Sequence, residues 1–595
     1  MILQALAAYY DYLVEHHSDK VARYGWCPRR VAYLLEIDSD GELLAAIPST
    51  DEKGWERFVP EQVKRSSGIA PNALCDNSSY FLGVAAKGKP ERLRKCFEAA
   101  RDLHIRLLSR VDSPAARAVV RFFETWDPDC ASEHPVVSTA GEKLLGGGNL
   151  LFSYEGQDVL EDPSIQQAWD SFGSGGENSV VMRCLVTGER APVARLHPAI
   201  KGIAGAQSMG ASLVGFNAPA FESYGHEGEQ GLNAPVSERA AFAYATALNY
   251  LLSDPQHRVR MGDTTVVYWA EKDDDACSQV VSAGFGAFSF GRSEDAPPED
   301  RDQKLDDIMK AVRSGLPLGN IDMETPFYVL GLAPNAARAS VRFFFRDTFG
   351  KVVANIAEHY ERLEIVHTPK EREYLYPFQL LREIENPNAK KPVASSEIGG
   401  ALMRSILGNL PYPEALLENA LLRTRASRDD PDTHRRKVSR GRMAIIKAFL
   451  IKNRKEQVTV GLDEKRKDAA YVLGRLFVTL EEIQYAANSE LKVTIADKYL
   501  NSACATPSLV FPTLLGLARV HLGKVKKENP DKADHLDRQV MRYVYLLDDL
   551  PSNLSPKEQC DFNLGYYHQK LHNINARIDA RSRREAAEPT ANDQD

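Results

Sequence analysis

The chain has 595 residues, 43% of them hydrophobic and 26% charged, with a formal net charge of −8. That length exceeds what one hydrophobic core supports, so two or more domains are expected, and the acidic total argues against nucleic-acid binding unless the cations are clustered. No apolar run approaches the roughly 20 residues needed to cross a bilayer, and Tyr, Asp and His interrupt the amino terminus where a signal peptide needs an apolar core, so a cytoplasmic protein is expected.

In chain order, residues 2–17 carry Leu3, Leu6, Tyr10 and Leu13 at the spacing of a helix packed on one side. Two apolar runs, 31–37 and 43–47, flank Asp38-Ser39-Asp40-Gly41 and predict a hairpin with Gly where positive φ is wanted. The next stretch, 63–83, joins Lys64 and Arg65 to the small polar residues Ser66, Ser67, Asn72, Asp76, Asn77, Ser78 and Ser79, broken by Gly68 and Pro71. Cations attract a phosphate backbone whatever its sequence, while hydroxyls and amides hydrogen-bond phosphate oxygens or base edges. The same composition also describes an ordinary surface turn. Lys87 and Lys89 follow in a loop punctuated by Gly88 and Pro90, and Arg92, Arg94 and Lys95 lead into a helix predicted through Leu107.

The middle of the chain mixes strands with helices. Residues 204–212 satisfy neither a P-loop, since no Lys follows Gly210, nor a nucleophile elbow, since Ala206 stands two residues before Ser208. Cys184 and His197 lack further ligands of matching spacing and read as a core pair. Asp263-Thr264-Thr265 turns into a buried strand through Trp269, which reads as core. Acidic residues and Pro297-Pro298 mark 274–304 as a polar connection. Arg338, Arg342 and Arg346, four residues apart, are expected on one helical face opposite Val341, Phe344 and Phe345, free to meet phosphate. Between 421 and 455 twelve cations, among them Arg435, Arg436, Lys437 and Arg440, face three aspartates, a local charge of +9 that suits strand binding or a solvated helix face.

Apolar periodicity over 472–485, 509–520, 536–547 and 562–578, punctuated by Pro507, Pro530 and Pro551, predicts a helical bundle, with Lys524, Lys526 and Lys527 as candidate strand contacts. The charged tail from Arg581 is expected to be disordered. Eight scattered cysteines suggest neither a zinc knuckle nor a disulfide framework and read as reduced and mostly buried. The fold class expected is α+β, with small antiparallel sheets in the N-terminal and central regions and an all-α carboxyl-terminal bundle.

The loop at 63–83, preceded by Met1-Ile2-Leu3-Gln4-Ala5-Leu6 and Tyr9-Tyr10, resembles the large subunit of the type I-C CRISPR surveillance complex, Cascade. Cys184 to Glu189 with His197-Pro198 and Lys201-Gly202, Gly225 to Pro235, Leu330 to Phe345, and Gly565-Tyr566-Tyr567-His568-Gln569 are similar to it as well. The resemblance implies a non-catalytic protein without cofactor or metal. Its partners would be the guide RNA with backbone and RNA-processing subunits, a small subunit, double-stranded target DNA and a helicase-nuclease. Residues 1–140 would read the protospacer-adjacent motif (PAM), 141–400 would contact partner subunits, 401–470 would form a basic helical connector, and 471–580 would resemble the small subunit ahead of a tail at 581–595. Asn72 and Asn77 would read bases, with Lys64, Arg65, Ser66, Ser67, Lys87 and Lys89 on the duplex. Arg338, Arg342, Arg435, Arg436, Lys437, Arg440, Lys524, Lys526 and Lys527 would hold the opened strand. Two rivals are a protein-only scaffold and a hydrolase working through Ser208.

Overall fold

A computed structural model describes residues 1–63, 65, 68–172, 180–222, 225–272, 275–284, 298–315, 318, 321–386, 396–429, 436–488 and 493–587. The chain divides into two compact units, residues 1–199 with 212–250, and residues 200–211 with 251–595. The expected boundaries at 140, 400 and 470 do not mark this division.

The first unit is built on the strand Trp26–Ile37, whose alternate side chains Val31, Tyr33, Leu35 and Ile37 point into the core. It pairs antiparallel with Leu43–Pro48 and with Trp55–Pro60, and parallel with Asn149–Tyr154, which in turn pairs with the short strand Cys75–Asp76. The expected hairpin is present. Asp38 Oδ1 accepts from the Asp40 and Glu42 amides, and Gly41 takes φ +81° where a Cβ would lie 2.4 Å from the Phe122 amide nitrogen. The helices Pro90–Leu108 and Pro114–Thr125 cover the sheet, and Phe81, Phe122, Phe123 and Phe152 pack edge-on and offset in its core.

The same unit contains the hairpin Val181–Arg183 with Arg190–Pro192, which is turned by Cys184. Its sulfur, 1% exposed, accepts backbone amides of Val186, Thr187 and Ser237 at 3.4, 3.5 and 3.2 Å. Burial raises the pKa of this thiol, but these amides outweigh it and bring the pKa down to about 7. Cys184 thus ties the hairpin to the start of the helix Glu238–Ser253, and His197 bonds Tyr244 instead, at 2.7 Å.

The second unit carries a four-stranded antiparallel sheet in the order Arg338–Thr348, Pro326–Asn335, Thr264–Ala270, Arg258–Met261. Every residue of Thr264–Ala270 is buried, and Trp269 stacks on Tyr328 at 5.2 Å. The stretch read as an arginine-bearing helix is the edge strand Arg338–Thr348. A four-residue spacing fits a period of two as well as one of 3.6, and the aromatic run Phe343-Phe344-Phe345 favours the strand.

The rest of this unit is helical around a core that runs from Val259 to Leu571. The helix Arg440–Arg454 lies inside that core, with eleven of its residues buried. The five helices Ala469–Ala487, Ile495–Ala505, Pro507–Glu528, Pro530–Tyr545 and Pro556–Ala587 form the expected bundle. Pro507 and Pro530 open helices at the first position, where the missing amide costs nothing. The first and last of these helices meet at two glycines. A Cβ on Gly474 would lie 2.1 Å from the Phe562 carbonyl oxygen and one on Gly565 2.2 Å from that of Tyr471. Of the tail expected to be disordered, residues 581–587 continue the last helix, in keeping with the helix propensity of Arg, Glu and Ala, and 588–595 lie outside the described residues. Of the eight free cysteines, Cys130 alone is exposed and Cys27 is half-buried.

Candidate nucleic-acid interface

The loop after the strand Trp55–Pro60 is organised around Asp76, which is 1% exposed. Its carboxylate receives both terminal nitrogens of Arg65, Nη1 at 2.8 Å, and the backbone amides of Asn72 and Asn77 at 2.8 Å each. The Arg65 guanidinium also donates to the Ala70 carbonyl at 2.6 Å and lies 3.9 Å over the Tyr80 ring. Burial disfavours the charged form of Arg65, but the Asp76 carboxylate outweighs it and raises the pKa. Asn72 is 6% exposed; its Oδ1 accepts from the Val63 amide at 2.8 Å and its Nδ2 donates to Gln62 Oε1 at 2.7 Å.

Arg65 and Asn72 therefore hold the loop together. Asn72 spends one lone pair on Val63 and one N–H on Gln62, and the Arg65 guanidinium is chelated by Asp76, so both side chains are engaged in the loop's own structure. Asn77 is half-buried and caps the helix Ser78–Phe81 by accepting from the Ser79 amide at 3.1 Å. Lys87 and Lys89 are exposed ahead of the helix Pro90–Leu108. Lys64, Ser66 and Ser67 lie outside the described residues.

The loop's far end is pinned from the helix Pro90–Leu108. His104 is fully buried; its Nδ1 sits 2.7 Å from the Ala100 carbonyl and its Nε2 accepts the Leu74 amide at 2.9 Å, where Leu74 takes φ +59°. With both nitrogens so used the ring is neutral, and burial drives its pKa down to about 4. Sequence reading missed Asp76, Gln62, Tyr80 and His104 as loop supports. The available signal was an acid four residues after Asn72 and eleven after Arg65, too general to single out.

In the second unit the basic segment turns largely inward. Arg440, 9% exposed, donates to the Arg372 and Glu373 carbonyls, the latter at 2.6 Å. Arg442, 8% exposed, donates to the Glu383 and Lys437 carbonyls at 3.0 and 2.8 Å. Lys447 reaches the Arg362 carbonyl at 3.1 Å and is held by burial down to a pKa of about 8. Lys437 is itself buried, with its pKa lowered by desolvation, so Lys437 and Arg440 are not exposed strand contacts. Arg436 is exposed, and Arg435 lies outside the described residues.

Arg436 opens onto a cleft of about 1310 Å³ between the helix Pro377–Ile384, the loop before it, residues 436–442 and Tyr567 of the last helix. Lys370, Arg372, Arg382 and Arg428 line it too, none of them singled out from sequence apart from Arg428 in the basic run. Elsewhere Arg342 pairs with Asp263 at 3.0 Å, while Arg338 is half-buried on the edge strand. Lys524, Lys526 and Lys527 are exposed on Pro507–Glu528, Lys526 within 3.4 Å of Asp534. Ser208 lies exposed on the turn between Ile200 and Ala211, which bridge to each other; that is not the strand-to-helix corner a nucleophile elbow needs. Among the described residues no group of three His, Cys, Asp or Glu side chains is placed to hold a metal ion, and no helix is long and apolar enough to cross a membrane.

A family model described as CRISPR-associated protein (Cas_Csd1) matches residues 6–573. No curated protein matches the chain.

Proposed function

Because the chain belongs to the Cas_Csd1 family of CRISPR-associated proteins, we propose that it is the non-catalytic large subunit of a type I-C Cascade that recognises the PAM in double-stranded DNA. In this reading it promotes R-loop formation, holds the displaced strand and helps recruit a helicase-nuclease. Guide pairing carries most of the sequence specificity, so the protein needs only a few base contacts and enough charge to keep the opened strands.

The observation that carries the reading is the loop over 61–80. It is fixed from beneath by buried Asp76 and His104, and Lys87 and Lys89 stand exposed shortly after it. Recognition loops bind best when their geometry is set before the partner arrives. In this reading Asn77 reads a base edge, with Lys87 and Lys89 on phosphates.

The test is a gel-shift titration of the assembled complex against duplexes that differ only in the PAM. Asn77→Ala is expected to lower discrimination between cognate and non-cognate motifs by about 1 to 3 kcal/mol. Asn72→Ala with the loop still folded is expected to leave the motif preference itself in place. An assembled complex that binds all duplexes alike would refute the reading.

A further inference from the structure

We propose that the cleft beside the helix Pro377–Ile384 is a groove for a single unpaired polynucleotide strand, held by its phosphates through Lys370, Arg372, Arg382, Arg428 and Arg436. The inference rests on the proposed function, since an unpaired strand exists only once the duplex has been opened.

All five side chains are exposed, and among the described residues no carboxylate pairs with any of them. Three glutamates also line the cleft, Glu371, Glu383 and Glu385, against seven cations, since Arg440 and Arg442 line it with the five above. The excess of charge facing the cleft is therefore positive.

Behind these residues stands Arg440. Its two terminal nitrogens fix the Arg372 and Glu373 carbonyls, so the loop that carries Lys370 and Arg372 is held in place by a cation rather than by an acid. Its Nε is buried against the cleft with no hydrogen-bond partner among the described residues. A buried guanidinium N–H left in this state favours an anion nearby. Tyr374 also lines the cleft, with its hydroxyl tied to Asp306 at 2.5 Å, so its ring is held at the wall where a base can lie against it.

Shape favours a single strand over a duplex. About 1310 Å³ of concave space admits a few nucleotides of a flexible strand. A duplex is stiff over about 150 base pairs and meets only the rim of such a cleft.

The experiment uses the full chain and the triple variant Arg372→Ala, Arg382→Ala, Arg428→Ala, with fluorescence anisotropy of labelled oligo-dT and of a duplex of equal length over a salt series. Oligo-dT affinity is expected to fall about 10-fold or more and its log–log salt slope to drop by about 2, with duplex affinity unchanged. An unchanged slope, or equal losses on both probes, overturns the groove. Should the triple variant melt early, Lys370→Gln with Arg372→Gln reads the same quantity, with an expected drop of about 1.4. Poly-glutamate is run as a competitor; if it binds and the variant loses it while oligo-dT binding persists, the cleft belongs to an acidic peptide and the proposal falls. A wild-type chain that binds neither nucleic-acid probe sinks the proposed function itself, whereas intact duplex binding with an unaltered oligo-dT slope sinks only the groove.

Discussion

The loop around Asp76 and the segment around Arg440 are the two basic stretches that stand out in the sequence, and both turn cations inward, but they do it with different partners. Arg65 is answered by a buried carboxylate, so its charge is cancelled where it stands. Arg440 and Lys447 are answered by backbone carbonyls, which orient a cation without neutralising it. The lesson is that burial of a basic residue does not by itself remove its field. Among the described residues the loop has the exposed Lys87 and Lys89 beside it as outward charge, whereas the second unit keeps charge both at the surface of its cleft and behind it.

The comparison breaks first at Asp76. Replacing Asp76 with Ala strands a half-buried guanidinium and two amides and is expected to cost about 3 kcal/mol in urea unfolding monitored on the first unit. Arg442→Met, which frees only carbonyls and one partly exposed glutamate, is expected to cost about 1 to 3 kcal/mol. Equal costs would erase the distinction between carboxylate-held and carbonyl-held cations.

Proton linkage sharpens it. The folded pKa of His104, about 4, lies below the ordinary histidine value, so the stability it lends is complete above pH 6.5 and is lost as pH falls from there toward 4. The loss is expected to be on the order of 3 kcal/mol and to vanish in His104→Gln if the amide still accepts from Leu74. Lys447 is also lowered, to about 8, so its region gains stability as pH climbs from 8 toward 10.5. Lys447→Met should flatten that rise, and a melt series that shows no difference between the two proteins across this window contradicts the assignment.

Smaller effects separate structure from contact. Asn72→Ala leaves Gln62 and the Val63 amide unpaired and is expected to cost about 1 to 3 kcal/mol of stability, against about 1 kcal/mol for the cap residue Asn77. Lys87→Gln with Lys89→Gln is expected to move stability by less than about 0.5 kcal/mol while reducing the salt slope of duplex binding by about 2. A stability loss without any change of slope would assign these lysines to the scaffold.

Periodicity made the carboxyl-terminal bundle legible, because its helices are long and their apolar faces continuous. The hairpin at Asp38–Gly41 was legible too, since only a few turn types accept that sequence. The edge strand Arg338–Thr348 was misread because arginines four apart satisfy both periods. A bulge opposite Gly331 and Leu332 further breaks its alternation, so Val341 and Arg342 are both exposed. At the candidate site the polar composition of the loop did not tell the roles of its members apart. Asn72 and Asn77 look alike in sequence, and which amide is consumed internally depends on Gln62, ten residues before Asn72. Lys370, Arg372 and Arg382 belong to no dense basic run; the fold brings them to one cleft with Arg428 and Arg436, where Arg440 holds the loop that carries the first two.

Cys130 is the one exposed thiol of the eight, in the turn after the helix Pro114–Thr125. A maleimide dye added briefly at neutral pH should therefore mark one position without any cysteine being removed, giving the intact protein a fluorescent reporter for following its assembly into larger particles in real time.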